Sequence, residues 1–474
     1  MHSTGPPPLT EGSIVRALVR LSIPVVLANI LQTAYQITDT FWVGRLSAEA
    51  VAAVSLSFPI SFLMIAFGSG LPIAGAVLIA QYKGRGDVRA MNHVAAQTLL
   101  MVLAVSIVTT GVGFAFSEPL MRFMGAEPDV LSDAVTFTQY TFLGFVFVFG
   151  FYVYQSLMRG LGVVQIPLYI VLVTVILNLA LDPLFIFGWG PIPALGVAGA
   201  AMATLMTQAL ATLIGFIHMY YSREGFQLHL HDFRPDWQLI WKCFRLGAPA
   251  SAEGTARALS FSLMTLLVAS FGTVPIAAFG TAMRVINFVM IPAMGFSMAT
   301  STVVSQNIGA GKLDRAERTN WVAALMSFVV LQGIGIPIFI WARPLITFFV
   351  PEGGESIDVA VYFTRMFSLT LGFVGIQQVI TGTLRGAGNT AAALAQAIVT
   401  QWVMRFPLAY VLAYHSWLGV DGIWWAMSVS NPLGALLTVV WFLGSDWKQT
   451  KLLDEVRLEE QVSEAARMEE NITT

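Results

Sequence analysis

The chain has 474 residues, of which 56% are hydrophobic, 12% aromatic and only 11% charged. Soluble proteins carry about 25% charged residues, and a soluble core stops growing near ~250–300 residues, so this much apolar material predicts an all-α polytopic membrane protein. A net charge of -2 lacks the basic excess of nucleic-acid-binding proteins, and the single cysteine, Cys243, excludes a disulfide framework.

Twelve apolar windows follow one another along the chain, each long enough for a membrane helix of ~20 residues. They cover residues 14–44, 51–81, 93–117, 130–157, 166–188, 195–221, 239–272, 275–306, 320–348, 358–383, 391–415 and 420–444. Residues 1–13 lack the basic region of a secretory signal and predict a disordered tail. The polar stretch 222–238 predicts a linker, and the charged stretch 446–474 predicts a solvated tail.

The basic residues between the windows predict the orientation, because loops that stay in the cytoplasm retain Lys and Arg. With both termini inside, 18 of the 25 basic residues lie on cytoplasmic segments, three on outer loops and four within spans. The expected location is the inner or plasma membrane, with both termini, the linker and the tail in the cytoplasm.

The second half of the chain repeats the first. Residues Arg20–Pro24 match Arg245–Pro249 at an offset of 225, and Arg159–Gly162 match Arg385–Gly388 at an offset of 226. Six spans per half give both halves the same orientation, so we expect an N-lobe (14–221) and a C-lobe (239–445) related by an axis along the membrane normal.

Two carboxylates stand out, because ionisable groups within spans are costly and mark functional sites. Asp39 lies late in the first span and Asp182 late in the fifth, so both approach the outer side at similar depth. Two carboxylates in one pocket of low dielectric constant favour a proton between them, and the additional oxygens of Asn178 and Thr204 suit a dehydrated Na⁺. Pro24 predicts a hinge in the first span below Asp39.

The alternative is that each acid caps a helix break or pairs with an arginine. The repeat favours the functional interpretation, since the C-half positions equivalent to Asp39 and Asp182 are Met264 and Phe406. The other ionisable residues within spans are interpreted as structural. Glu253 and Arg257 are spaced to pair on one helix face, and Arg365 is expected near Asp358. Snorkelling or bonding to backbone carbonyls is expected of Arg284 and Arg405.

Three stretches resemble the MATE (multidrug and toxic compound extrusion) family: Gln306–Lys312 after the eighth span, Leu384–Thr390 after the tenth, and Arg405–Tyr410 in the eleventh. The resemblance extends from about Ile14 to Leu443. It implies twelve helices in two six-helix lobes with pseudo-twofold symmetry. It also implies alternating access and export of organic cations or toxins in exchange for H⁺ or Na⁺.

The N half is similar to the DinF-like, archaeal-type branch of that family. The resemblance implies a cation site, occupied by a metal ion only if Na⁺ is the coupling ion, formed by Asp39, Asn178, Asp182 and Thr204. Tyr35 and the bending proline Pro24 fit the same pattern. On the same grounds, Tyr35, Tyr140 and Gln155 are expected to line the substrate cavity.

A C-lobe cation site, as in the NorM-like branch, is not supported, because the tenth span carries Gln377 and Gln378 instead of a carboxylate. The hypothesis is therefore a non-enzymatic antiporter, expected to be a monomer, with drug or toxin substrates, lipid contacts, no nucleic-acid partner and no cofactor beyond the coupling ion. A flippase for a lipid-linked precursor, which needs a strongly cationic cavity, is the alternative, and a channel or structural membrane protein is a third class.

Overall fold

The computed structural model describes residues 9–191, 193–221, 226, 228–349, 354–445, 447–449 and 452. Within them lie seventeen α-helices, which we number in chain order. They are α1 (Ile14–Val43), α2 (Ala48–Gly68), α3 (Gly70–Arg85), α4 (Val88–Ala115), α5 (Ser117–Phe123), α6 (Pro128–Leu161), α7 (Gln165–Phe187), α8 (Val197–Tyr221), α9 (Trp237–Ala269), α10 (Thr273–Gly309), α11 (Leu313–Ile340), α12 (Ala342–Phe349), α13 (Glu355–Ser368), α14 (Leu371–Gly386), α15 (Thr390–Ile398), α16 (Phe406–Tyr414) and α17 (Asp421–Gly444).

These helices account for all twelve predicted windows. Among the described residues, nine helical segments are long and apolar enough to cross a membrane, or ten when the bent pair α13 and α14 counts as one span. Two predicted windows are not among these segments. One falls on α9, which carries four charged residues. The other falls on α15 and α16, which are separated by a π-helical turn at Val399–Arg405. The chain is thus an all-α, multi-pass membrane protein with six spans in each half, as predicted.

Apolar side chains cover the outer surface of the helices. Val108, Leu325 and Leu436 are each more than 60% exposed although they lie in the middle of long helices. Such an apolar surface is suited to lipid, because in water it would expose a large patch without a partner.

Several spans are not single straight helices. Ser69 separates α2 from α3, and α13 and α14 meet at an angle of 54°. The ninth predicted window, 320–348, divides into α11 and the short helix α12.

The turns that follow equivalent spans repeat between the halves. Gly86 and Gly311 have φ of 83° and 72°, and Gly162 and Gly388 have φ of 84° and 83°. This left-handed conformation is open to glycine without the steric cost that a Cβ adds. The structure thus repeats at the offsets seen in the sequence. We call the side of the molecule that carries these four turns the basic side, and the opposite end the far side.

The predicted disorder of residues 1–13 is wrong for residues 9–13. Leu9 is buried, and its carbonyl oxygen accepts a hydrogen bond from Asn307. Arg315 donates to the carbonyl oxygens of Glu11 and Gly12. The buried Leu9 side chain and these hydrogen bonds together hold the segment against the C-lobe. Residues 1–8 lie outside the described residues, as do 222–225 and 227 of the linker and most of the predicted tail.

The two lobes are in close contact on the basic side. Helices α1 and α3 of the N-lobe pack against α10 of the C-lobe. A Cβ added at Gly84 would lie 1.9 Å from the carbonyl oxygen of Gln306, and one added at Gly309 would lie 1.8 Å from that of Gln81. Only glycine allows backbones to approach this closely.

The same two glutamines form reciprocal hydrogen bonds between the lobes. Gln81 Nε2 donates to the carbonyl oxygen of Gly386 at 3.0 Å, and Gln306 Nε2 donates to that of Gly160 at 2.9 Å. Since Gln81 and Gln306 are equivalent in the repeat, as are Gly160 and Gly386, the interface obeys the pseudo-twofold symmetry. The structure therefore has its lobes closed on the basic side.

Candidate ion-coupling site

Helices α1, α7 and α8 meet near the far side of the N-lobe. Helix α1 packs along α7, and α8 packs along α7 as well. Gly199 permits the second contact, because a Cβ at this position would lie 2.3 Å from the carbonyl oxygen of Phe185. The three helices therefore bring residues distant in sequence to one place.

Four of the predicted site residues meet there. Thr204 Oγ1 donates to Asp39 Oδ2 at 3.1 Å, and Asn178 Nδ2 donates to Asp182 Oδ1 at 2.9 Å. Asn178 and Asp182 are fully buried, whereas Asp39 and Thr204 are half-buried. Asp39 and Asp182 lie close enough to interact with each other, so the two carboxyl groups form one cluster.

Several oxygens of the cluster accept no hydrogen bond, and no basic side chain pairs with its carboxylates among the described residues. In the described part of the chain, Asp39 Oδ1, Asn178 Oδ1 and Asp182 Oδ2 are buried without a hydrogen-bond partner. Among the described residues, the side-chain hydrogen bonds of the two acids come from Thr204 and Asn178, and neither acid forms an ion pair with a Lys, Arg or His. Buried carboxylates without a partner carry a high cost, and a proton or a small cation removes that cost.

The depth of the cluster agrees with the prediction from the sequence. Asp39 is four residues from the end of α1, Asp182 five from the end of α7, and Thr204 seven from the start of α8. At 1.5 Å per residue, these positions lie about 6 to 10 Å from the helix ends at the far side.

Tyr35 lies one turn below Asp39 and is buried. Its hydroxyl forms a hydrogen bond of 2.7 Å with Thr207 Oγ1. Thr207 is not among the residues predicted from the sequence, although it lies three residues after Thr204 and so shares its helix face.

Tyr140 and Gln155 are half-buried on α6, and Gln155 does not lie at the level of the carboxylates. The two residues are separated by about 22 Å along the helix, and Gln155 is only six residues from the basic-side end. Pro24 is buried within α1, which continues through it as one helix of 30 residues.

The C-lobe contains a second cluster of ionisable side chains, which is basic and partly buried. Glu253 and Arg257 form the predicted pair at 3.1 Å, but Glu253 also accepts two hydrogen bonds from Arg385, at 2.7 and 3.0 Å. Arg385 was not predicted as a partner, because it is 132 residues away in sequence. Arg405 donates to side-chain oxygens of Gln401, Ser430 and Asn431, not to the backbone carbonyls expected.

The expected contact between Arg365 and Asp358 is wrong. Asp358 forms an ion pair with Arg343, and Arg365 donates to the carbonyl oxygen of Phe339 at 3.2 Å. Arg284 is exposed on α10.

Comparison with known proteins decides the family. The model of the MatE family matches residues 24–184 and 249–411. The chain belongs to the MatE family. The two matches begin 225 residues apart, the offset of the internal repeat. Members of this family are membrane transporters, which is consistent with the prediction that the chain is not an enzyme.

Individual relatives cover nearly the whole chain. It is 27% identical to the probable multidrug resistance protein YpnP of Bacillus subtilis (strain 168), over 94% of this chain and 98% of that protein. It is also similar to crystal structures of MATE in the bent and in the straight conformation. Each has 25% identity and a TM-score of 0.86 over 92% of this chain, and the match covers 96% and 97% of those chains, respectively.

Proposed function

We propose that this MatE-family transporter is a secondary active antiporter that exports organic cations and other amphipathic drugs or toxins in exchange for H⁺ or Na⁺. The observation that carries the proposal is the Asp39 and Asp182 pair, two adjacent carboxyl groups without a basic partner among the described residues. The relative named as a multidrug resistance protein supports the choice of cargo. We place the protein in the cell membrane as a monomer with cytoplasmic termini and with no cofactor beyond the coupling ion.

Ion binding and export are coupled through the charge of the cluster. Without an ion, the two carboxylates repel each other and attract a cationic substrate. A proton or Na⁺ removes the repulsion, and α1 then bends at Pro24, closes the N-lobe cavity and expels the substrate. Exchange requires that ion and substrate favour opposite conformations, because a ligand shifts an equilibrium only by its difference in affinity for the two states.

The cluster offers chemistry for either ion. A proton is held between Asp39 and Asp182. A Na⁺ is held by side-chain oxygens of Asp39, Asp182, Asn178 and Thr204. Among the described residues, three of these oxygens (Asp39 Oδ1, Asn178 Oδ1 and Asp182 Oδ2) accept no hydrogen bond.

A lipid-linked precursor flippase is the second candidate, and the arginines of the C-lobe favour it in part. A pyrophosphate head group needs a cationic cavity. The N-lobe, however, presents two carboxylates, which repel such a head group. Efflux remains the better-supported function.

Dye efflux from proteoliposomes tests the proposal, with an H⁺ gradient and a Na⁺ gradient applied separately. We expect one gradient to drive efflux of a cationic dye by the wild-type protein. Asp39→Asn and Asp182→Asn remove the charge that binds the ion, so ion-driven efflux should fall to the level of protein-free liposomes.

The matched control is Asp421→Asn. This acid begins α17 in the C-lobe and lies outside the cluster, so its variant should retain coupled efflux. Normal ion-driven efflux by Asp39→Asn, at wild-type protein levels, would falsify the assignment of the site.

A further inference from the structure

The basic cluster of the C-lobe, which surrounds the buried Glu253, carries more positive charge than this one carboxylate neutralises. We call Arg257, Arg385 and Arg405, with Glu253, the arginine cluster. Arg405 belongs to it because the π-helical turn that carries it contacts α9 next to Arg257, where Trp402 Nε1 donates to the carbonyl oxygen of Ala256 at 3.1 Å. Glu253 is fully buried and bonded to both Arg257 and Arg385. Three guanidinium groups against one carboxylate leave two positive charges uncompensated among the described residues. The nearest other acid on α17, Asp421, is about 14 Å along the helix from Ser430.

Arg405 is held by neutral groups only. Its three hydrogen bonds go to Gln401 and Asn431 at 2.7 Å and to Ser430 at 2.8 Å. A guanidinium has five N–H donors and stays charged, so two of its donors remain for a ligand. Arg405 also ends the π-helical turn Val399–Arg405, a rare element that is frequent at functional sites.

Arg257 lies at the edge of the side of α9 that contacts the N-lobe, and part of its side chain is accessible. On α9, Ser251 donates to the carbonyl oxygen of Phe67 at 2.5 Å, and a Cβ at Gly254 would lie 3.5 Å from that of Ala66. These two positions define the side of α9 that touches the N-lobe. Arg257 lies one turn further towards the far side, between the direction of Gly254 and that of Glu253 around the helix, and its side chain is 33% exposed.

The lobes are in contact on the basic side of Arg257, so a ligand would have to reach the exposed part of this side chain from the far side. Unpaired charges inside a membrane protein are costly and mark binding sites or ion pathways. Planar guanidinium groups with free donors bind carboxylates in a bidentate geometry.

We propose that Arg257 and Arg405 bind the carboxylate of an exported compound, so that the transporter takes amphipathic substrates with an acidic group as well as a cationic one. This inference rests on the proposed export function. The carboxylates of the N-lobe and the arginines of the C-lobe then hold opposite ends of one zwitterionic substrate or act on different substrates in the same cleft.

A pair of dyes that differ in one carboxylate tests the inference. A carboxylated rhodamine and its ethyl ester share the same cationic chromophore, and their efflux is measured in phosphatidylcholine proteoliposomes. We expect the wild-type protein to export both dyes. Arg257→Gln and Arg405→Gln should raise the half-saturating concentration of the acid about tenfold and leave that of the ester unchanged.

The variants are chosen so that misfolding does not hide the result. Arg257→Gln leaves Glu253 with both of its hydrogen bonds from Arg385, so the C-lobe keeps its buried ion pair. Arg284→Gln is the control, because this arginine also lies within a span but is exposed and outside the cluster.

Three results would overturn the inference and leave the export function intact: export of the ester without the acid, equal loss of both dyes in Arg257→Gln, or an effect of the substitutions only when phosphatidylglycerol is added. The last result would place a lipid phosphate at the arginines. Failure to export either dye under both gradients would instead contradict the export function itself.

Discussion

Thr204 is the residue that ties α8 to the carboxylate of Asp39. Its hydroxyl donates at 3.1 Å, and its oxygen is also a ligand atom in the proposed Na⁺ site. Thr204→Val keeps the shape of the side chain but removes both functions. A hydrogen bond to a charged group contributes about 1.5–3 kcal/mol, so we expect the half-saturating concentration of the driving ion to change about tenfold or more.

Ion-driven dye efflux across a series of ion concentrations measures this change. Thr204→Ser retains the hydroxyl and should behave as the wild type does. An unaltered ion dependence in Thr204→Val would show that Thr204 takes no part in ion binding.

Single residues could be predicted from the sequence where their chemistry is rare in membranes. Asp39 and Asp182 were found because few carboxylates lie within the spans. The contact of Arg385 with Glu253 could not be predicted, because it joins two spans that are distant in sequence. Local spacing reveals partners three or four residues apart on one helix, and it does not reveal partners on different helices.

At the scale of elements, glycines set how closely α3 and α10 approach each other. Gly309→Ala places a Cβ 1.8 Å from the backbone oxygen of Gln81, a clash that no rotamer relieves. Because the clash is between lobes and not within one, we expect a folded protein that is unable to close on the basic side. Dye efflux should fall more than tenfold while the thermal unfolding temperature changes little.

Gly333→Ala is the control, since a Cβ at this position on α11 meets nothing within 4 Å. Efflux near the wild-type rate by Gly309→Ala would mean that the observed approach of the two helices is not needed for transport.

Hydrophobic windows predicted the existence of every span, because lipid requires about twenty apolar residues in a row. The same windows did not predict the break at Ser69, the 54° bend between α13 and α14 or the π-helical turn before α16. These irregularities depend on which neighbouring helix supplies hydrogen-bond partners. The mean hydropathy of a stretch of sequence does not show which helices are neighbours. Pro24 shows the converse, since a residue that predicts a hinge lies in a continuous helix here.

At the scale of the whole molecule, two hydrogen bonds related by the internal symmetry hold the lobes together on the basic side. Each crosses from a glutamine of one lobe to a backbone oxygen of the other, at 3.0 Å for Gln81 and 2.9 Å for Gln306. Neither bond can survive when the lobes separate on this side. Alternating access therefore requires that both bonds break in the same step.

The symmetry predicts that Gln81→Leu and Gln306→Leu shift the balance between the closed and open conformations by similar free energies, and that these free energies add in the double variant. A hydrogen bond contributes about 0.5–1.5 kcal/mol, so each substitution should raise the population open on the basic side several-fold, and the double variant by the product of the two.

A cysteine at Ala299, which is fully buried where α10 packs against α1, reports this opening through its rate of thiol labelling. Gln332→Leu, which removes a glutamine bonded within the C-lobe only, should leave the rate unchanged. Equal labelling of the wild type and the double variant would show that the two glutamine bonds contribute nothing to the balance between the two conformations.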